Sequence, residues 1–312
     1  MSAGPLPARA LAPAKINLGL FLGPTRAQDG RHELVTVMQS ISLADELTLE
    51  RAPAGVAEDE VVCPGVPGPP AENLAGMAIR AFRAATGWDV PPLRLSIAKR
   101  IPVAAGLGGG SADAAAALRL AKHASGRGDE ALLRELSAAL GADVPAQIEP
   151  GRWLATGAGE RLEELPDPNP ASFGLLVLPA AAELSTAAVY AEADRLGVER
   201  SHEALQEYRR ALRRALELSA SVPAASELLD NDLERAAISL CPEIAAALHQ
   251  ARETGADLAL VSGSGPTVVG LFPHANGLGR AERAAAGLED RVPAPICATP
   301  VDALFARVTA GA

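Results

Sequence analysis

The sequence has 312 residues, of which 48% are hydrophobic, so it can bury the core of one large or two medium domains. Its formal net charge of −10 argues against a surface for nucleic acid or anionic membrane, so any anion must be bound locally. The 3 cysteines are widely spaced and lack a CxxC pair, a pattern typical of a reduced cytoplasmic protein without a thiolate metal site.

The first predicted element is a strand over residues 10–22, where hydrophobic and polar residues alternate. Lys15 and Asn17 fall on the polar face. The opposite, hydrophobic face is made of Ile16, Leu18, Leu20 and Leu22. On periodicity alone, Lys15 is a solvated strand residue. Arginine, however, makes up most of the 28 basic residues, so the few lysines are candidates for positions that need a compact ammonium group.

Residues 24–31 are predicted to form a loop that His32 closes, followed by one or two strands over 33–49 with a break at 44–45. Residues 52–70 are rich in Pro, Gly and Ala, which predicts a loop with one short strand at 60–63. Helical spacing over residues 74–85 predicts a helix that ends at Gly87 and buries Met77 and Phe82. A strand over 93–97 is predicted next.

Residues 101–118 read IPVAAGLGGGSADAAAAL and form the most distinctive stretch of the chain. Four glycines between 106 and 110 lie directly before Ser111 and an alanine-rich helix that meets no breaker until Gly126. Such a loop directs unpaired N–H groups and the positive end of the helix dipole at one point, which favours a bound phosphate. The alternative is a flexible turn capped by Ser111.

Two commoner phosphate-binding loops fit these residues poorly. A P-loop ends in Gly-Lys-Ser/Thr, and no lysine lies between Arg100 and Leu120. A dinucleotide fingerprint has a third glycine where this chain has Ser111. Its strand also runs straight into the loop, whereas Lys99, Arg100 and Pro102 intervene here. The dinucleotide interpretation remains an alternative.

A further helix is predicted over 129–140, capped by Asp129 and ended by Gly141, and residues 141–145 read GADVP. From local sequence, Asp143 is either the N-cap of a helix that starts near Pro145 or a functional carboxylate. Asp113, in the first turn of the alanine-rich helix, would repel a bound phosphate, so we expect it to point away.

Residues 163–172, EELPDPNPAS, mark the predicted domain boundary because prolines interrupt a polar stretch there. Two short apolar strands at 257–262 and 267–272 flank a loop at 263–266 that reads GSGP. The other elements predicted beyond the boundary are a strand at 174–178, helices at 186–196, 204–219, 227–240, 242–254 and 279–288, and a last strand at 296–301.

The glycine stretch resembles the phosphate-binding signature of the GHMP small-molecule kinases. Its GGGS run at 108–111 is similar to the branch that phosphorylates 4-diphosphocytidyl-2-C-methylerythritol. Residues 12–20, APAKINLGL, resemble the first motif of that branch, and GADVP at 141–145 lies where the family has its catalytic aspartate. The loop at 263–266 and its flanking strands resemble the third motif. Motifs in this order along the chain are more specific than any one of them.

This resemblance implies an α+β, two-domain GHMP kinase fold. A ribosomal protein S5 domain 2-like N-terminal domain would span 1–163, a ferredoxin-like C-terminal domain would span 172–312, and the active site would lie between them. Lys15 and Asp143 are then the catalytic residues, and Ser111 is the candidate Mg²⁺ ligand. The implied ATP-binding residues are Pro102, Val103, Ala104, Ala105, Gly106, Leu107, Gly108, Gly109, Gly110, Ser111 and Ala112. The implied substrate-binding residues are Asn17, Arg31, His32, Thr186, Gly263 and Ser264.

The implied activity is ATP-dependent phosphorylation of the 2-hydroxyl of 4-diphosphocytidyl-2-C-methyl-D-erythritol in the non-mevalonate isoprenoid precursor pathway, with ATP and Mg²⁺. Open alternatives are a GHMP kinase of homoserine or mevalonate type and a non-catalytic nucleotide-binding module. A nicotinamide-dependent oxidoreductase is disfavoured, because the chain lacks the third glycine and the acidic residue of the dinucleotide-binding fingerprint. We expect a cytoplasmic monomer or homodimer whose partner is a small cytidyl alcohol, without nucleic acid or membrane.

One residue departs from the family pattern at 29–32, which reads DGRH where the family has an aromatic residue before the histidine. The resemblance implies that this aromatic ring stacks on the cytosine of the substrate. A guanidinium group is planar and can stack on a base. We therefore predict that Arg31 replaces the ring, with help from Thr186 and Tyr190.

Overall fold

The computed structural model describes residues 3–169, 171–218 and 228–311. In these ranges the strands are β1 Ala8–Thr25, β2 His32–Arg51, β3 Glu60–Val62, β4 Leu93–Ala98, β5 Arg152–Gly157, β6 Arg161–Leu165, β7 Phe173–Leu178, β8 Leu258–Val261, β9 Val268–Pro273, β10 Ile296–Ala298 and β11 Thr309–Ala310. The α-helices are α1 Leu74–Thr86, α2 Gly109–Ser125, α3 Glu130–Leu140, α4 Val144–Ile148, α5 Thr186–Leu196, α6 His202–Leu218, α7 Glu234–Leu240, α8 Glu243–Glu253 and α9 Gly277–Ala286.

The first sheet is built around the long strands β1 and β2, which pair antiparallel over most of their length. Within the described ranges this sheet has seven strands, because β3 to β6 extend it beyond β2 and β11 pairs with β1. β2 can serve two further partners because it is 20 residues long. Its residues 46–51 pair with β4, and its residues 34–39 pair with β5.

Helices α1 and α2 pack with β1, β2 and β4 to form the core of the first domain. The buried face of α2 is almost entirely alanine, and these small side chains let the helix lie close to its neighbours. α3 and α4 then pack on α2. The alanine-rich helix is therefore fixed on several sides, and with it the glycine turn at its N-terminus.

The second sheet has the order β10-β7-β9-β8 in the described residues and is antiparallel throughout. Helices lie between β7 and β8 in sequence, β8 pairs directly with β9, and α9 lies between β9 and β10. This is the βαββαβ order of a ferredoxin-like domain, with additional helices inserted after β7. The predicted α+β architecture and the predicted ferredoxin-like second domain are confirmed.

β1 confirms the strand predicted over 10–22, but not its predicted alternation. A register shift just after Asn17 makes a bulge, and a shift of one residue moves the side chains that follow to the other face. Leu20 and Leu22 consequently pack among helices of the second domain, in a different cluster from Ile16 and Leu18. The prediction that these four leucine and isoleucine residues share one face is wrong.

Three further predictions in the first domain and at its boundary have different outcomes. β2 runs without a break through residues 44–45, where an interruption was predicted. Phe82 is buried as predicted, but Met77 is 40% exposed and is not a core residue. The boundary predicted at 163–172 begins inside β6, which ends at Leu165, and its remainder lies before β7; residue 170 lies outside the described residues. The division into 1–163 and 172–312 stays a prediction.

In the second half, α7 begins at Glu234 and not near residue 227. The segment before it pairs with β1 instead, because Leu20 exchanges backbone hydrogen bonds with Asp230 and Asp232. Residues 219 and 227, at the ends of two predicted helices, lie outside the described residues. The strand predicted over 296–301 ends at Ala298, and β11 follows it. Among the described helices, none is long and apolar enough to cross a membrane.

Candidate active site

The glycine stretch forms a turn that ends at the first residue of α2. Gly106 and Gly108 have φ values of 74° and 69°, a region that favours glycine, whereas Gly109 already belongs to α2. Gly108 is the N-cap, so the first N–H groups of α2 have no acceptor within the helix. Ser111 lies in the first helical turn, so the alternative of a turn capped by Ser111 does not hold.

Two cavities meet at this turn. The smaller has a volume of about 490 Å³ and is lined by residues 102–111, together with residues before α1. The larger has a volume of about 830 Å³ and lies between the two domains. Gly106, Gly108 and Ser111 line both cavities, so the glycine turn is the wall between them. Ala112, the last of the predicted ATP-binding residues, is buried in the core.

Lys15 is held at the larger cavity by a chain of hydrogen bonds. Its Nζ donates to Asn17 Oδ1 over 2.8 Å, and Asn17 Nδ2 donates to Thr36 Oγ1 over 2.7 Å. The Thr36 hydroxyl donates in turn to the carbonyl oxygen of Gly19 over 2.6 Å. Only 10% of the Lys15 side chain is exposed. The interpretation of Lys15 as a solvated strand residue is therefore wrong.

Asp143 supplies a carboxylate beside this ammonium group. Its Oδ2 lies 3.5 Å from Lys15 Nζ, and 36% of its side chain is exposed. Asp143 occupies the N-cap position of α4, but its side chain makes no capping hydrogen bond. Its oxygens are therefore free to meet a ligand in the larger cavity, which favours a functional carboxylate over a helix cap.

The loop at 263–266 reaches the site from the second domain. Next to it, Ser262 Oγ accepts a hydrogen bond from the backbone N–H of Asn17 over 3.2 Å. A Cβ atom on Gly106 would lie 2.5 Å from the carbonyl oxygen of Gly265, so the two glycine loops touch through their backbones. Such close approach requires glycine at position 106.

Arg31 and Tyr190 line the larger cavity from different domains. Arg31 is exposed, and its Nη2 donates to the carbonyl oxygen of Ala158 over 3.1 Å. Burial raises the pKa of the Tyr190 hydroxyl to about 12, and the charge of Asp143 adds to that rise while Arg31 opposes it. A neutral, desolvated ring and a cation therefore lie at the same cavity.

His32 and Thr186 complete the set of predicted substrate-binding residues. The His32 ring lies with Nδ1 2.9 Å from Gly23 O and Nε2 2.9 Å from Asp194 Oδ1, so both of its nitrogens are engaged. Thr186 Oγ1 lies 3.1 Å from Ser264 Oγ, which joins α5 to the second glycine loop. The structure brings all the predicted substrate-binding residues to the larger cavity.

A buried charge cluster of Asp45, Lys99 and Asp113 was not identified from the sequence. Lys99 Nζ donates to both carboxylates, and its distance to Asp113 Oδ2 is 2.8 Å. Burial lowers the pKa of Lys99, but the carboxylates of Asp113 and Asp45 outweigh it and the net shift is upward. Burial raises the pKa of Asp113 to about 7, against the opposing effect of Lys99. Only the scarcity of lysine in the sequence pointed to Lys99.

Asn231 was also missed, because it lies in a segment predicted as helix. Its Nδ2 donates to the carbonyl oxygens of Val261 and Gly263 over 2.8 and 2.7 Å. Its Oδ1 accepts from the N–H of Leu233. A buried asparagine thus holds the strand end that leads into the second glycine loop.

The described residues contain no group of three or more His, Cys, Asp or Glu that could hold a metal ion. Mg²⁺ in phosphoryl-transfer sites is held largely by substrate phosphates and water, with one or two protein oxygens. The hydroxyl of Ser111 and the carboxylate of Asp143 both line the larger cavity beside the glycine turn. This donor set fits a phosphate-bound Mg²⁺.

Comparisons with known proteins agree with this arrangement. The family model described as GHMP kinases N terminal domain matches residues 73–151, and the model described as GHMP kinases C terminal matches residues 210–293. The 4-diphosphocytidyl-2-C-methyl-D-erythritol kinase of Corynebacterium efficiens is 40% identical over 273 residues, which is 84% of this chain and 84% of that protein.

Solved structures extend the comparison. A crystal structure of 4-(cytidine 5'-diphospho)-2C-methyl-D-erythritol kinase matches with a TM-score of 0.75 and 32% identity, covering 94% of this chain and 98% of that chain. The homoserine kinase from Cytophaga hutchinsonii matches with a TM-score of 0.71, covering 99% and 100% of the two chains, but at 14% identity it shares the fold alone. The chain therefore belongs to the GHMP kinase family, and the 4-diphosphocytidyl-2-C-methyl-D-erythritol kinase of Corynebacterium efficiens is a relative at 40% identity.

Proposed function

We propose that this chain transfers the γ-phosphoryl group of ATP to the 2-hydroxyl of 4-diphosphocytidyl-2-C-methyl-D-erythritol, a step of the non-mevalonate isoprenoid precursor pathway. The observation that carries the proposal is the wall that two cavities share, made of Gly106, Gly108 and Ser111. A phosphate bound at the N-terminus of α2 would face both cavities. The nucleotide would occupy the 490 Å³ cavity and the acceptor alcohol the 830 Å³ cavity.

The nucleotide is bound by residues 102–111, which line the smaller cavity. Backbone N–H groups at the start of α2 and the positive end of its dipole stabilise the negative phosphates. Glycine at 108 and 109 lets the turn pack against two lysines, because a Cβ on Gly108 would lie 3.0 Å from Lys15 Cγ and a Cβ on Gly109 would lie 3.3 Å from Lys99 Nζ. The protein as a whole is acidic, so this local positive potential is what attracts ATP.

Lys15 and Asp143 act on the reacting atoms. The oxygen of the acceptor hydroxyl attacks the γ-phosphorus while the bond from that phosphorus to the β–γ bridging oxygen breaks, giving the phosphorylated alcohol and ADP. The carboxylate of Asp143 accepts the hydrogen bond of the attacking hydroxyl and takes up its proton as the new P–O bond forms, and the ammonium of Lys15 balances charge on the transferred group. The 3.5 Å between Lys15 Nζ and Asp143 Oδ2 allows Asp143 to contact the attacking hydroxyl while Lys15 contacts the phosphoryl group that it attacks.

Mg²⁺ would be held by the nucleotide phosphates together with Ser111 and would neutralise phosphate charge. Arg31 and Tyr190 would enclose the cytosine, and the His32 ring, held by Gly23 and Asp194, would pack beside Tyr190 at the same end of the cavity. Tyr190 supplies a ring and Arg31 a planar cation at the same cavity, which supports this assignment. Asn17, Thr186, Gly263 and Ser264 would contact the remainder of the acceptor.

The proposal is tested by measuring ATP consumption with 4-diphosphocytidyl-2-C-methyl-D-erythritol, homoserine and mevalonate in parallel. We expect the cytidyl alcohol to be phosphorylated with the highest kcat/KM. Preference for homoserine or mevalonate would place the chain in another branch of the family. ATP binding without transfer to any of the three would favour the non-catalytic module, an alternative that the paired Lys15 and Asp143 argue against. The cytoplasmic location and the monomeric or dimeric state stay predictions.

A further inference from the structure

Gln147 is a buried side chain next to the proposed site that the mechanism above does not use. It lies on α4, four residues after Asp143, so the two residues fall on the same side of the helix. Gln147 is 1% exposed. Within the described part of the chain, neither polar atom of its amide has a hydrogen-bond partner.

The amide lies against the glycine turn. A Cβ atom on Gly108 would be 3.6 Å from Gln147 Nε2, and it would also be 3.0 Å from Cγ and 3.2 Å from Cε of Lys15. Gly108 therefore packs between the side chain of Lys15 and the amide of Gln147. The same turn forms the wall between the two cavities, so Gln147 is directly behind the phosphate-binding backbone.

Arg119 on α2 holds the backbone of Gln147 in this place. Its Nη1 donates to the carbonyl oxygens of Gln147 and Ile148 over 2.6 and 3.3 Å, and its Nη2 donates to Leu11 O over 2.9 Å. Burial lowers the pKa of Arg119 to about 10. The guanidinium thus joins the end of α4 to the helix that carries the glycine turn, while the Gln147 amide remains free to pair.

A buried amide without partners is unfavourable, and such a group in a native protein calls for an explanation in its function. The backbone of the glycine turn lies beside this amide at Gly108, and its hydrogen bonding changes when it takes up phosphates. An amide can donate and accept, so it suits either a peptide N–H or a carbonyl oxygen.

We propose that Gln147 is a positioning residue for phosphoryl transfer. When the turn holds nucleotide, the amide of Gln147 pairs with the backbone at Gly108 and fixes the distance between the turn and Asp143. The inference rests on the proposed function, since it assumes that the turn binds nucleotide. Gln147 acts through Gly108 and Asp143, and it touches neither substrate.

The test uses Gln147→Met, which has similar volume and no amide, and Gln147→Leu as a second apolar variant. The matched control is Gln250→Met on α8, because Gln250 Oε1 accepts a hydrogen bond from Arg291 Nη1 over 2.8 Å and lies outside both cavities. Unliganded Tm is measured by scanning calorimetry, ADP affinity by titration calorimetry, and kcat with the cytidyl alcohol.

We expect both Gln147 variants to keep or raise the unliganded Tm, since they remove an unpaired amide, while the Kd for ADP rises about two- to tenfold. kcat should fall by roughly tenfold through the misplaced Asp143. Gln250→Met should lower Tm and leave the Kd for ADP unchanged. A Gln147→Met protein with wild-type ADP affinity, or with a Tm reduced as in the control, would overturn the inference. Because ADP binding is measured without the alcohol, a wrong acceptor assignment leaves this result intact.

Discussion

The ammonium group of Lys15 lies 3.5 Å from a carboxylate oxygen of Asp143, although the two residues come from β1 and the start of α4. We predict that Asp143→Asn and Lys15→Met each abolish phosphoryl transfer and leave the fold intact. Loss of a group that handles the attacking hydroxyl is typically worth ~10²- to 10⁴-fold in rate. Turnover is measured by coupled ATP consumption, and folding by circular dichroism.

Matched controls for these variants are Lys122→Met, in the last turn of α2, and Asp129→Asn, the cap of α3. Asp129→Asn keeps a side-chain oxygen for the N–H of Leu132 and should change little. Both controls should retain wild-type turnover. If Lys15→Met and Asp143→Asn also stay within about threefold of wild type, the pair is not catalytic.

A second prediction concerns the contact between the two glycine loops. Gly106→Ala places a Cβ 2.5 Å from the carbonyl oxygen of Gly265 at a φ of +74°. The variant must push the loops apart and strain the backbone, and strain of this kind costs on the order of 1–3 kcal/mol. We expect the Kd for ADP to rise by roughly 10-fold or more, as measured by titration calorimetry.

Gly255→Ala is the control that introduces backbone strain without a steric contact between loops. Gly255 has a φ of +88°, but a Cβ there would meet no described heavy atom within 4 Å. This variant should lose stability and keep its ADP affinity. Equal affinities for Gly106→Ala and wild type would show that the loops need not touch for nucleotide to bind.

The parts of the site that could be predicted are those whose conformation depends on residues close together in the sequence. The glycines at 106–110 and the alanine helix after them carry their own conformational signal, and the alternation over 10–22 places Lys15 and Asn17 on one face. The burial of Lys15 was not predictable in this way. The burial of Lys15 depends on Asn17 and on Thr36 of the neighbouring strand. Which residues of two strands lie side by side cannot be read from the hydrophobic periodicity of either strand.

What could not be predicted depends on contacts between distant residues. Asp45 gave no local signal, because its partners Lys99 and Arg100 follow directly after β4, more than 50 residues along the chain. Residues 230–232 are Asp-Asn-Asp and have low helix propensity, so the helix predicted there had no local support. Leu20 exchanges backbone hydrogen bonds with this segment, and Asn231 bonds the second glycine loop. In both cases the contacts that fix the segment come from residues distant in sequence.

The third prediction tests the Asp45 cluster. Asp45 is fully buried, and its Oδ1 accepts from the N–H groups of Arg100 and Ile101, which lead into the glycine turn. Removing one partner of a buried ion pair costs about 3–5 kcal/mol, so Asp45→Ala should lower the free energy of unfolding by about that amount. Urea unfolding provides the measurement. The neighbouring Glu46→Ala removes ion pairs of 3.5 and 4.0 Å at the surface and should cost about 1 kcal/mol or less. Equal losses for the two variants would contradict a structural role for the cluster.

The last prediction concerns the residue that departs from the family pattern. Arg31 is exposed at the larger cavity, which Tyr190 also lines, and its Nη2 is anchored on the carbonyl oxygen of Ala158. A planar guanidinium fixed at one edge can lie on a cytosine ring whose other face meets Tyr190.

Arg31→Ala should therefore raise the KM for the cytidyl alcohol by roughly tenfold, with kcat nearly unchanged, because stacking binds the ground state and the transition state alike. Arg31→Tyr supplies a ring in place of the cation and should restore the wild-type KM. Arg9→Ala removes an exposed arginine outside both cavities and serves as the control. Steady-state kinetics with the cytidyl alcohol at saturating ATP gives all four values. If KM is the same in wild type and Arg31→Ala, the base is covered without Arg31. If Arg31→Tyr is as impaired as Arg31→Ala, the guanidinium acts through its charge on the diphosphate and not by stacking.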